Sequence, residues 1–140
     1  MLKSNHSPGS LQRARRRGVA ATEFAVCLPI IVLLVLGTIE ACSMVFLKQS
    51  LAVAAYEGAR TAIIPGVTVD QVKAACQQVL KDRKIDGGTV TVKPTNIDAL
   101  VPGDFVDVTV TAPCGENSVV PNKFYKGRTL SATASMMIEF

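Results

Sequence analysis

Histidine is almost missing from this chain, with His6 the only one among 140 residues. The four cysteines, at positions 27, 42, 76 and 114, include no C-x-x-C pair, so the sequence gives no zinc signature. It has no Gly-rich phosphate loop and no pair of carboxylates that marks a cleft. No cofactor, no metal and no enzymatic activity are expected. Charge is scarce as well, with 19% charged residues against 49% hydrophobic ones. That balance excludes a disordered chain and requires something apolar to be sequestered. The length allows one domain plus an appendage.

The formal charge of +4 is unevenly placed. Residues 1–18 hold Lys3, Arg13, Arg15, Arg16 and Arg17 and no acid, whereas residues 19–140 hold ten bases against all eleven acids. The basic character therefore belongs to a leader, which its Ser, Asn, Pro and Gly residues predict to be unstructured. Arginines beside an apolar run act as a positive-inside topology signal, and no nucleic-acid partner is expected.

From Phe24 to Leu47 the only charged residue is Glu40. As a helix these 24 residues extend roughly 36 Å, enough to cross a lipid bilayer with some tilt. The arginines precede it, which predicts a cytoplasmic N-terminus and an extracytoplasmic remainder. Glu40 falls near the outer interface and reads as a solvated carboxylate. No breaker occurs before Pro65-Gly66, so one long helix over 19–64 is expected, with a kink at Pro29 and an inner stripe of Leu51, Ala55, Gly58 and Ala62.

The junction Arg15-Arg16-Arg17-Gly18-Val19-Ala20-Ala21-Thr22-Glu23-Phe24 resembles the processing site of type IV pilin-like proteins. With Pro29, Gly37-Thr38-Ile39-Glu40 and Glu57-Gly58-Ala59-Arg60, the likeness is closer to the TadE-like pseudopilins of the Tad/Flp tight-adherence pilus. The resemblance implies removal of residues 1–18, His6 included, by a prepilin peptidase that cuts between Gly18 and Val19. It also implies that Glu23, beside Phe24, meets the N-terminal amine of a neighbouring subunit. Helix capping at the dipole is the simpler role for Glu23. Two other processing sites fit poorly. Ile39-Glu40-Ala41-Cys42 carries a glutamate ill suited to a lipoprotein box, and Ala52-Val53-Ala54 lies far past the apolar core.

Residues 65–140 are expected to form a small extracytoplasmic α+β domain. Thr68 and Gln71 make a capping box for a helix with Val72, Ala75, Cys76, Val79 and Leu80 at helical spacing, ending near Lys84. Gly87-Gly88 follows, and the pattern then alternates over 89–93, 105–112 and 130–138, predicting three antiparallel strands with one apolar face. The second helix and the outer half of the long helix must cover that face. Cys76 and Cys114 are expected to pair outside the cytoplasm, where closing a 38-residue interval contributes roughly 3–4 kcal/mol. The loop Pro113–Arg128, with Lys123, Phe124, Tyr125 and Lys126, reads as solvated with two anchoring rings.

The expectation is thus a pilin-like α+β protein, with its long N-terminal transmembrane helix packed against a short helix and a three-stranded antiparallel sheet. It would serve as a minor pilin or pseudopilin of a Tad-type pilus or secretion apparatus, in pilus assembly and adherence. Its partners would be the prepilin peptidase, other pilin or pseudopilin subunits, the Tad inner-membrane machinery and the lipid bilayer. It would reside in the bacterial inner membrane or the assembled pilus. The alternatives are an uncleaved single-pass sensor or adhesion domain, and a minor pseudopilin of type II secretion.

Overall fold

The computed structural model describes residues 9–119 and 125–139, without the side chains of residues 9–17 and Asp98. The element order is α1 (Gly9–Ala62), α2 (Val69–Asp82), β1 (Thr89–Lys93), a short 3-10 turn (Ile97–Ala99), β2 (Phe105–Pro113) and β3 (Thr129–Met137). This is an α+β layout. The chain divides into two compact units, Met1–Thr38 and Ile39–Phe140.

The first unit corrects the expectation of an unstructured leader, because α1 begins at Gly9. Leu11, Gln12, Ala14 and the arginines are good helix formers, and no proline interrupts them. Pro29 lies inside the helix without ending it. From Gly18 to Leu36 every residue is exposed, including ten Leu, Ile, Val or Phe side chains between Phe24 and Leu36. At about −0.3 to −0.6 kcal/mol each near a bilayer centre, those ten favour lipid by roughly 3–6 kcal/mol. The described helix is long and apolar enough to cross a membrane, with a mean hydropathy of 2.5 in its best window.

In the second unit α1 presents Met44, Leu47, Leu51, Ala54, Ala55, Ala59 and Ala62 to a core completed by α2 and the sheet. The inner stripe thus starts about two turns before the Leu51 expected to open it. The helix ends at Ala62, two residues before the expected Ile64, in a turn through Pro65 and Gly66, the latter at φ 78°.

Thr68 caps α2 through the expected box: its hydroxyl accepts from the Gln71 N–H, and the Gln71 side chain accepts from the Thr68 N–H at 2.9 Å. Val72, Cys76 and Leu80, spaced at one turn, are buried. At the far end the Ile85 N–H donates to the Leu80 carbonyl at 2.9 Å and the Lys84 N–H to the Lys81 carbonyl at 3.0 Å. This is a Schellman motif, with Lys84 holding the left-handed position at φ 55° that glycine usually takes.

The sheet has the order β1-β2-β3, antiparallel throughout. Its inner face follows the alternation read from the sequence: Val106, Val108, Val110 and Ala112 of the central strand are buried, flanked by Val92 on β1 and Ala132 on β3. The outer face is hydroxyl-rich. Thr109 and Thr133 meet there at 2.8 Å, and Lys93 stands opposite Asp107 in register.

Gly58 is the point where α1, α2 and β2 converge. A Cβ built on it would lie 2.2 Å from Cys76 Sγ, 3.0 Å from Val108 Cγ1 and 3.7 Å from Val72 Cγ1. Mid-helix glycine costs about 1 kcal/mol relative to alanine, a cost accepted here for close approach. Gly58→Ala is therefore expected to destabilise the second unit by about 1–3 kcal/mol through overpacking, despite its better helix propensity. Adding Cys76→Ala removes the nearest obstructing atom and should recover most of the loss, as measured by denaturant unfolding of the double-mutant cycle.

Candidate processing and assembly site

Gly18 and Val19 lie on consecutive exposed positions of α1, and nothing comes within 4 Å of a Cβ built on Gly18. Val19, Glu23 and Phe24 are all exposed, Phe24 at 60%. Helix geometry sets Val19 and Glu23 one turn apart on one face. Thr22 between them donates its hydroxyl back to the Val19 carbonyl at 2.7 Å. Arg13, Arg15, Arg16 and Arg17 occupy the preceding helical turns, and their side chains lie outside the described residues. The Gly18–Val19 bond is thus open to solvent on a continuous helix. A protease that binds its substrate extended must first unwind that helix, and glycine, a poor helix former, favours unwinding there.

Further along α1 the structure corrects the reading of Glu40. The carboxylate is buried, 2% exposed, and its Oε1 accepts the Tyr125 N–H at 3.2 Å. A buried carboxylate must be hydrogen-bonded to be tolerated, and the amide it captures pins the start of the segment that leads into β3. Two turns on, Lys48 Nζ donates to the Ser131 carbonyl of edge strand β3. Sequence reasoning missed both contacts because each partner lies more than 80 residues away. The one available signal was a lone acid inside an apolar run. In the Pro113–Arg128 loop, Lys123 and Phe124 lie outside the described residues, and Tyr125 is partly buried against the core.

The expected disulfide is not formed, and this too is a correction: Cys76 and Cys114 are both buried and free. The cause is register. Cys76 Sγ sits at the Gly58 contact together with Val108, whereas Cys114 lies six residues further along the chain, just past the end of β2. A disulfide needs Cα atoms within about 7 Å. Burial pushes the Cys76 thiol up to about 11, with the Glu57 charge adding to the effect. Burial raises the Cys114 thiol as well. Among the described residues no three His, Cys, Asp or Glu side chains gather at a metal-sized site.

Residues 18–60 match the family model described as TadE-like protein. Over that segment the chain is TadE-like. No curated protein and no solved structure matches it. The TadE-like segment opens at Gly18 and closes at Arg60, so it takes in the apolar helix, Glu40 and the Gly58 contact. TadE-like proteins belong to Tad pilus systems and form a family of pilus components rather than of enzymes. The one long apolar helix among the described residues suits a membrane anchor.

Two outcomes follow from the buried groups. Glu40→Ala should speed amide exchange at Tyr125 about tenfold, the cost of one lost buried hydrogen bond, while Glu40→Gln keeps an acceptor and most of the protection. The thiols bear on alkaline stability. An unfolded Cys76 releases its proton near 9.0 and the folded one near 11. Between those values the unfolded chain binds fewer protons, so stability falls as pH rises, by up to about 3 kcal/mol. Denaturant unfolding at pH 8 and pH 10.5 should show that fall in the parent protein and a smaller one in Cys76→Ala.

Proposed function

We propose that this TadE-like protein is a minor pilin or pseudopilin of a Tad-type pilus, inserted in the bacterial inner membrane with its N-terminus cytoplasmic. A prepilin peptidase cuts between Gly18 and Val19 and removes the basic leader. The observation that carries this reading is the apolar run of α1 from Phe24 to Leu36, exposed at every residue and lying inside the family match over residues 18–60. Such a surface needs lipid or other helices around it.

Cleavage turns the Val19 nitrogen into an ammonium at the start of a hydrophobic segment, one turn from the exposed Glu23. A carboxylate and an ammonium in an apolar medium attract strongly, and each is costly if left alone. As the family resemblance implies, Glu23 meets the ammonium of a neighbouring subunit, a contact that sets an axial register as subunits stack. Further along, Val45, Phe46, Val53 and Tyr56 leave an exposed apolar surface on α1, from 41% to 57% exposed, for lateral packing in the same assembly. Residues 65–140 form the small extracytoplasmic α+β domain.

The test is the N-terminus and intact mass of the protein isolated from membranes of a strain with the Tad system. The expected result is a chain that starts at Val19 and lacks the mass of residues 1–18. Gly18→Ile should abolish the shift, whereas Glu23→Ala should be cleaved but lost from isolated pili. A retained Met1 in the parent protein would point to an uncleaved anchored domain, and a start at Cys42 to a lipoprotein.

A further inference from the structure

The second unit carries a groove whose walls, Phe46 apart, neither processing nor helix packing uses. It encloses about 510 Å³ and is walled by Phe46 of α1, by Arg83, Lys84 and Ile85 at the end of α2, and by Asn117 and Val119 of the loop after β2. Two of its walls are fixed to one another. Asn117 accepts the Asp86 N–H at 2.9 Å and donates to the carbonyls of Asp86 and Pro113 at 2.9 and 2.8 Å, which ties the turn after α2 to the loop after β2.

The groove has two chemistries. Phe46 is 52% exposed and Val119 is 82% exposed, so its mouth is apolar where water would otherwise lie. Arg83 and Lys84 supply two adjacent cations, and the acids Asp86 and Glu116 of the same two loops are not among the lining residues. The backbone at Lys84 is informative as well. It holds φ 55°, where glycine would sit without strain and a side chain costs of the order of 1–2 kcal/mol. The helix dipole does not require a cation there, since Lys81 already occupies the last turn of α2. An ammonium is held in a strained position at the edge of an apolar groove.

Phe46 is also the penultimate residue of the apolar run that ends at Leu47. Within the same unit Ile39 and Cys42, also exposed, extend the apolar strip of Phe46 two turns and one turn back along α1. We infer that the groove seats one anionic phospholipid of the surrounding membrane, its phosphate between Arg83 and Lys84 and its acyl chain against Phe46 and Val119. This rests on the membrane-anchor reading of α1. Charge complementarity and continuity with the apolar run select this occupant.

The full chain reconstituted in nanodiscs tests it, by mass spectrometry of lipid retained on the protein after gentle extraction. Discs containing phosphatidylglycerol are compared with discs of phosphatidylcholine alone. The decisive variant is Lys84→Gly, which suits the left-handed backbone and so preserves or raises thermal stability while removing the ammonium. Phosphatidylglycerol should be retained in preference to phosphatidylcholine, and the preference should drop about fivefold in Lys84→Gly and again in Arg83→Ala/Lys84→Gly, at roughly one such factor per cation. Equal retention of both lipids, an unchanged preference in the variants, or displacement by millimolar inorganic phosphate would each overturn the proposal. Resistance to alkaline carbonate extraction tests the anchor separately: a chain that resists extraction yet shows no lipid preference sinks the groove and leaves the anchor intact.

Discussion

The second unit depends on one close approach. Three elements must come within van der Waals contact at Gly58, and the sequence provides room by omitting a side chain there and by placing alanines at 54, 55, 59 and 62 on the same face. Small residues let α1 lie near the other elements, and the volume is filled from the far side by Val72, Cys76, Val106, Val108 and Val110. The Ala-rich stretch and the Glu57-Gly58-Ala59-Arg60 segment, both part of the TadE-like match, thus have a steric meaning that does not involve the membrane. The exposed Glu57–Arg60 ion pair, at 3.9 Å, contributes little; the glycine between them sets the packing distance.

The same helix serves two solvents. From Phe24 to Leu36 its side chains are apolar on all sides and exposed, as suits lipid; from Glu40 onward one face is buried in protein. Hydroxyls along it are satisfied within the helix, Thr38 by the Leu34 carbonyl, Ser43 by that of Ile39 and Ser50 by that of Phe46, at 2.8 to 2.9 Å. That internal pairing lets Ser50 be fully buried without a partner from another element. Glu40 and Lys48, which cannot satisfy themselves in this way, reach across to the 125–131 segment.

Much of this architecture was legible because it rests on local rules. The long apolar run, the Thr68/Gln71 box and the alternation in β2 each specify an element within a few residues of sequence, and the strands form within one residue of the expected positions. What escaped was non-local. Nothing near Glu40 announces Tyr125, and an acid beside an expected membrane interface reads as solvated. Cys76 and Cys114 looked compatible in compartment, but their separation depends on which residue of β2 faces α2. The helical turns before Gly18 were obscured by polar residues read as a flexible leader. The left-handed Lys84 was hidden because a lysine gives no turn signal.

The bonds from α1 to the far end of the chain also impose an order of events. Lys48 and Ser131 are 83 residues apart in sequence, and Glu40 and Tyr125 are 85. Neither contact can form until almost the entire chain has been synthesised, and long loop closures of this kind slow folding. Until then the face of α1 that carries Met44, Leu47 and Leu51 has no strand to cover it. The lysine and the buried acid of α1 thus wait, respectively, on the last strand to be made and on the segment that leads into it.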